Sequence, residues 1–171
     1  MTIAATAAFT ATWCFAAMMV WAGVMDLLTM KIRNDLILLI LAIYAALAPL
    51  VGFGAVEIGT SAAVAFAVLV CMFAFFSMGW IGGGDAKFAA AIALWVGAEH
   101  TPTYLLSTAI FGGALTLMLL QFRFMVLPAF CRRVPWIVDL HTPGSGVPYG
   151  IAIAAGALFT LPNTLWVTTL S

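Results

Sequence analysis

Uncharged apolar runs occupy residues 3–25, 36–55, 58–84, 88–98, 101–122 and 147–170, with short polar segments between them. The runs are continuous and rich in Leu and Ala, without the ten-residue alternation of a barrel strand, so they predict helices. A bilayer core of about 30 Å takes about 20 apolar residues per crossing, and six membrane segments are predicted. The run at 88–98 is short for a full crossing at about 1.5 Å per residue. It is either a short helix lengthened by the preceding Gly-Asp-Ala-Lys or a re-entrant segment. The first run is too long for a signal-peptide core and lacks a basic start, which makes it a permanent span.

Composition narrows the class. Apolar residues make up 65% of the chain and charged residues 7%, with a mean hydropathy of +1.19. Such a chain cannot coat a soluble globule with polar surface. The expected fold is an all-α polytopic membrane bundle, with residues 1–171 forming a single integral membrane domain whose partner is the lipid bilayer. Only the stretch 123–146 is polar and Pro/Gly-rich enough for a substantial loop. A formal net charge of zero and the absence of a charge run give no basis for nucleic-acid binding. Cys14, Cys71 and Cys131 are scattered without C-x-x-C spacing, and His100 and His141 stand in loops with no third ligand nearby. Neither a metal site nor a disulfide framework is implied, and the cysteines read as small apolar fillers.

The few charges set an orientation. If 88–98 crosses, Lys31, Arg33, Lys87, Arg123, Arg132 and Arg133 all fall on one side, while Glu57, Glu99 and His100 fall on the other. The positive-inside rule makes the basic side cytoplasmic and both termini external, N-out and C-out.

Chemistry then rests on carboxylates. Asp26 ends the first run, and Asp85 follows three glycines in Gly82-Gly83-Gly84-Asp85-Ala86-Lys87; both belong to the basic face. Taken singly, Asp26 reads equally well as a solvated helix-end charge near Lys31. Three successive glycines disfavour a regular helix and permit positive φ and close backbone approach, with tight helix packing as the alternative use. Two carboxylates brought together share one proton, leaving one base to activate water and one acid to protonate the carbonyl oxygen or leaving amine. The distance between them is left open by the sequence.

Three segments, Asp26-Leu27-Leu28-Thr29-Met30-Lys31-Ile32-Arg33-Asn34, Gly82-Gly83-Gly84-Asp85-Ala86-Lys87 and Pro148-Tyr149-Gly150-Ile151-Ala152, together resemble the type IV prepilin peptidases, most closely their small CpaA/TadV-like branch. The resemblance implies a G-x-G-D aspartic endopeptidase of the bacterial inner membrane. Its work would be to remove the basic leader from Flp-type prepilins or pseudopilins at the cytoplasmic face, on the C-terminal side of a glycine. Asp26 and Asp85 would be the catalytic pair, acting on water without a cofactor. Gly82, Gly83, Gly84, Lys87, Asn34, Pro148, Tyr149 and Gly150 would shape the site, and the partner would be the prepilin helix within the membrane. Arg33 stands where the family has proline, which leaves the turn less constrained. The cysteine-bearing insert and methyltransferase segment of larger members have no room in 18.1 kDa, so peptidase activity alone is expected.

Plainer readings stand beside these. Lys87 also serves as an inside anchor, Pro148-Tyr149-Gly150 as an ordinary helix start with an interfacial aromatic, and Asp35 and Asp139 as solvated loop charges, Asp35 with the option of capping a helix. A small proton-coupled transporter would use the same carboxylates, although no paired halves are apparent. A noncatalytic pilus-assembly or secretion subunit is the third reading.

Overall fold

The computed structural model describes residues 3–128 and 131–169, and these contain helices and turns but no strand. The helices are α1 (Ile3–Thr29), α2 (Asn34–Val51), α3 (Ala55–Ser77), α4 (Gly83–Val96), α5 (Thr101–Phe124), α6 (Pro135–His141), α7 (Tyr149–Thr160) and α8 (Leu165–Thr168), with 3-10 turns at Cys131–Arg133 and Leu161–Asn163. Five segments are long and apolar enough to cross a membrane: α1, α2, α3, α5 and Tyr149–Thr168. The protein is a polytopic helical membrane bundle. Leu170, the end of the last apolar run, lies outside the described residues.

The short fourth run is a helix rather than a re-entrant segment. α4 has 14 residues, about 21 Å at 1.5 Å per residue, and it packs along α3. Gly97, just beyond its C-terminus, comes within van der Waals reach of Ser61 near the start of α3, so the two helices run antiparallel over most of α3. Two expectations need correction. The stretch 123–146 is not simply a loop, because it folds the 3-10 turn and α6. The glycine triplet does not exclude helix either: Gly82 is the N-cap of α4, and Gly83 and Gly84 lie in its first turn. Positive φ occurs at Gly52, Gly79, Gly97 and Gly144, not within the triplet.

Burial is distributed as lipid immersion requires. Large apolar side chains such as Trp13, Phe66, Phe73, Leu117 and Met118 face outward, where acyl chains solvate them as well as protein would. Helix association therefore depends on close fit and on hydrogen bonds. Nine of the 14 residues of α4 are buried, five of them alanines, whereas α3 buries only Ser61 and Val68. α4 is the central post of the bundle.

An aromatic cluster locks the C-terminal end of that post. Trp95 of α4 stacks on Phe15 of α1 at 4.9 Å, meets Tyr44 of α2 edge-on at 5.8 Å, and lies 4.6 Å from Trp166 of α8. Both indoles are satisfied: Trp95 Nε1 donates to the Ile40 carbonyl at 3.0 Å, and Trp166 Nε1 to the Trp95 carbonyl at 2.8 Å. The second bond supplies a partner to a carbonyl in the last turn of α4, which has no intrahelical donor of its own.

Trp166→Ala should remove this packing and orphan the Trp95 carbonyl, at a cost of about 3–5 kcal/mol. Thermal unfolding in detergent should show a clear drop in midpoint, with Trp166→Phe intermediate. An unchanged midpoint for Trp166→Ala would show that the cluster does not hold the helices together.

Candidate active site

One end of the bundle gathers the end of α1, the starts of α2, α4 and α7, and the ends of α3 and α5. Gly84 meets Ile32, Gly83 meets Phe76, Gly150 meets Asp26, and Arg123 bonds to Gly146. Lys31, Arg33, Lys87 and Arg123 therefore share this end, as their sequence positions predicted.

Asp26 occupies the last turn of α1 and is 3% exposed. Across it lies the first turn of α7, where the carboxylate faces the backbone N–H groups of Gly150 and Ile151. A helix N-terminus presents unpaired donors and partial positive charge, a suitable place for a buried carboxylate. The approach is so close that a Cβ on Gly150 would lie 2.7 Å from Asp26 Oδ2 and 2.9 Å from Ile32 Cδ1. Only glycine fits there. Asp26 Oδ2 is nonetheless buried without a hydrogen-bond partner among the described residues, so it retains capacity for a proton, a water or a substrate group.

Asp85 sits three residues beyond the Gly82 N-cap, and its carboxylate turns back toward the Gly82 N–H. The neighbouring glycine works by close approach. A Cβ on Gly84 would be 3.3 Å from the Ile32 carbonyl oxygen and 3.4 Å from Ile32 Cβ. The start of α4 thus rests on the turn between α1 and α2, and this brings Asp85 within electrostatic reach of Asp26. Asp85 lies outside the five long membrane segments. Burial pushes its carboxyl up to about 6, the Asp26 carboxylate adds a further upward push, and the Gly82 N–H partly offsets both.

The remaining predicted residues divide between two sides of α4. Tyr149 packs its ring 3.3 Å from the position a Gly112 Cβ would take, and its hydroxyl shares a 3.3 Å hydrogen bond with Thr116. Tyr149 and Asp85 together line a cavity of about 320 Å³ between α3 and α5. Pro148 is buried as the N-cap of α7. Lys87 projects elsewhere: its Nζ donates to Asn34 Oδ1 at 3.3 Å, in a groove between α2 and α3. Two residues along a helix is a turn of about 200°, which separates Lys87 from the side of α4 that carries Asp85. Lys87 and Asn34 meet each other and not the carboxylate pair.

Arg33 is the N-cap of α2 at φ −76° and ψ 140°, a conformation proline also adopts. Its side chain pairs with Asp35 at 2.6 Å on the surface, an ion pair of little energetic weight. Asp35 thus has a definite partner in the first turn of α2. Some contributors to the site carried no separate sequence signal. Ile32 is the contact shared by Gly84 and Gly150. Arg123 donates to the carbonyls of Leu140, Ser145 and Gly146 at 2.8–2.9 Å and so fixes the segment that leads into α7. Arg123 could be counted in the sequence only as an inside-facing charge. Among the described residues no three His, Cys, Asp or Glu side chains come together as a metal site.

The type IV leader peptidase family model matches residues 13–117, more than half of the chain. The chain belongs to that family. The matched region contains Asp26 and the glycine triplet with Asp85, and it ends before Pro148-Tyr149-Gly150. Comparison with curated proteins and with solved structures returned no match. The protein is accordingly a membrane peptidase, and α7 joins its two carboxylate-bearing helices from outside the matched region.

Gly150→Ala should force α7 away from Asp26 and lower leader peptidase activity at least tenfold, whereas Gly146→Ala, with nothing within 4 Å of the added methyl, should leave it near wild type. Rates measured on a cleavable prepilin, at matched membrane insertion, test this. Equal activity in the two variants would contradict the close approach.

Proposed function

We propose that this leader peptidase is an aspartic endopeptidase in which Asp26 and Asp85 form the catalytic pair. Its substrate is a prepilin or pseudopilin, of the Flp type in the resemblance noted above, cleaved after the glycine that ends a short basic leader. The observation that carries this reading is the convergence of two carboxylates, 59 positions apart in the chain (85 − 26), at one end of the bundle, one buried and the other acted on by its charge.

The chemistry follows from a pair that holds one proton. The ionised member takes a proton from water as the oxygen attacks the scissile carbonyl carbon, and the protonated member gives its proton to the carbonyl oxygen. In the tetrahedral diol the proton taken from water passes to the amide nitrogen, the C–N bond breaks, and the second hydroxyl returns its proton to the pair. The titration belongs to the pair, and no single residue is named as acid or base. Gly150 and the first turn of α7 position Asp26, while Gly82 and Gly84 position Asp85. No cofactor enters these steps.

A transporter is the weaker reading. Carboxylates on a transport path need a passage to the opposite face, and the far end of the bundle is filled by Phe15, Tyr44, Trp95 and Trp166, all buried. A noncatalytic subunit would have no use for two converging carboxylates, one of which keeps an oxygen without a hydrogen-bond partner among the described residues.

Asp26→Asn and Asp85→Asn should each lower prepilin cleavage by about 10³-fold or more, within the range general acid–base groups contribute, while insertion stays normal. The double variant should be no worse, because members of one catalytic unit are strongly non-additive. Near-wild-type cleavage by either single variant, at matched expression, would refute the two-aspartate mechanism.

We further place the carboxylate end of the bundle on the cytoplasmic side, as the shared end of Lys31, Arg33, Lys87 and Arg123 suggests. Cysteine labels near Arg33 and Arg132 should react only from inside, and labels at both termini only from outside. A terminus that reacts from inside would overturn the N-out, C-out arrangement.

A further inference from the structure

Access to the carboxylate pair is restricted, and the restriction points to where a membrane-embedded substrate enters. Asp26 is closed off by α7 and the Ile32 side chain. The groove between α1 and α2 has Arg33 and Asp35 at its mouth and is lined by neither member of the pair. The groove between α2 and α3 is lined by Lys87 and Asn34, again without either carboxylate. The cavity between α3 and α5 is different, since Asp85 forms part of its wall.

That cavity has the form of a lateral opening. α3 packs against α4, and α5 packs against α7, while α3 and α5 scarcely touch each other. Their separation leaves a slot floored by Ala89 of α4 and Ile153 of α7. On the α5 wall, Leu105, Ala109, Gly112 and Gly113 follow one another at helical spacing, over about 12 Å at about 1.5 Å per residue. Gly112 is already occupied by the Tyr149 ring, but a Cβ on Gly113 would meet nothing within 4 Å. The slot therefore has free space at the level of Gly113 and a wall low enough for a helix backbone to come close.

We propose that the substrate's apolar helix enters sideways from the bilayer between α3 and α5 and docks its first two turns beyond the scissile bond against Ala109 and Gly113, with the scissile peptide held over Asp85. This rests on the peptidase reading given above. The occupant follows from continuity with the candidate active site: a family of leader peptidases must present a peptide bond to the carboxylates, and a slot lined by uncharged side chains apart from Asp85 accepts an apolar helix. α3 is then the outer wall of a substrate channel, which accounts for its having little packing beyond α4.

Two measurements test the route. Gly113→Leu should insert and unfold like wild type, because its side chain enters open space, yet cleave prepilin at least tenfold more slowly. Gly59→Leu, at a glycine of α3 that likewise has nothing within 4 Å, should cleave normally. In a protein with Cys14, Cys71 and Cys131 replaced by alanine, Gly113→Cys combined with Asp85→Asn should form a disulfide with a cysteine placed in the first two turns of the mature part of the prepilin, since a disulfide needs Cα atoms within about 7 Å. Wild-type cleavage by Gly113→Leu together with no disulfide would overturn the route. If Asp85→Asn is inactive in that same experiment, the peptidase reading survives and only the route fails; an active Asp85→Asn would remove the basis of both.

Discussion

The carboxylate end of this peptidase depends on one contact: the backbone of Gly150 lying against the Asp26 side chain. No larger residue leaves room for it, and without it the first turn of α7 could not present its N–H groups to a carboxylate that is otherwise out of water. The same approach clamps Ile32 between α7 and the start of α4. Because Gly84 rests on Ile32 from the other side, Asp85 is placed by the same stack. Side chains on two helices and on the turn between α1 and α2 are thus fixed by glycines that matter for what they leave out. Charge alone would not hold them, since two carboxylates repel and desolvation penalises each.

The opposite end is built on another principle. In a bilayer, apolar burial gives little preference for helix contact over lipid contact, so the bundle relies on buried small residues along α4 and on the Phe15, Tyr44, Trp95 and Trp166 cluster, whose indole donors are used on backbone carbonyls. α4 runs from the carboxylates to this cluster and is shielded by its neighbours, which allows it to be short. A 14-residue helix would be mismatched to a bilayer if exposed on all sides, but it is tolerated within a sheath of longer ones. Of the five long segments α3 is the least buried, and it borders the cavity lined by Asp85. Packing is dense along α4 and at the aromatic cluster and sparse along α3, beside the cavity that Asp85 lines.

Much of the fold was legible in the order of residues. Continuous apolar runs specify membrane helices because the bilayer admits few other spanning structures, and the clustering of basic residues specifies one end. Asp26 and Asp85 stood out because a carboxylate next to a long apolar run needs a reason to be there. The glycine triplet was legible as a place of close approach, but its conformation was not: Gly83 and Gly84 enter the helix with ordinary φ, and the nearest positive φ is at Gly79. Local propensity gave way because the first turn of a helix carries little of its helical cost, while a clash with Ile32 would carry a large one.

What the sequence by itself determined was the class of molecule, the number of long segments, the shared end of the charges and the residues able to do acid–base chemistry, because these follow from local hydrophobicity and from the cost of charge in lipid. Only the tertiary structure decided that α7 lies on Asp26, that Ile32 is the spacer between Gly84 and Gly150, that Lys87 and Asn34 pair on the other side of α4, and that Arg123 secures the segment before α7. Each of these depends on which helix faces meet across the bundle. Nothing in the hydropathy of a run whose every face is apolar specifies that choice; it is set by steric fit between residues far apart in the chain.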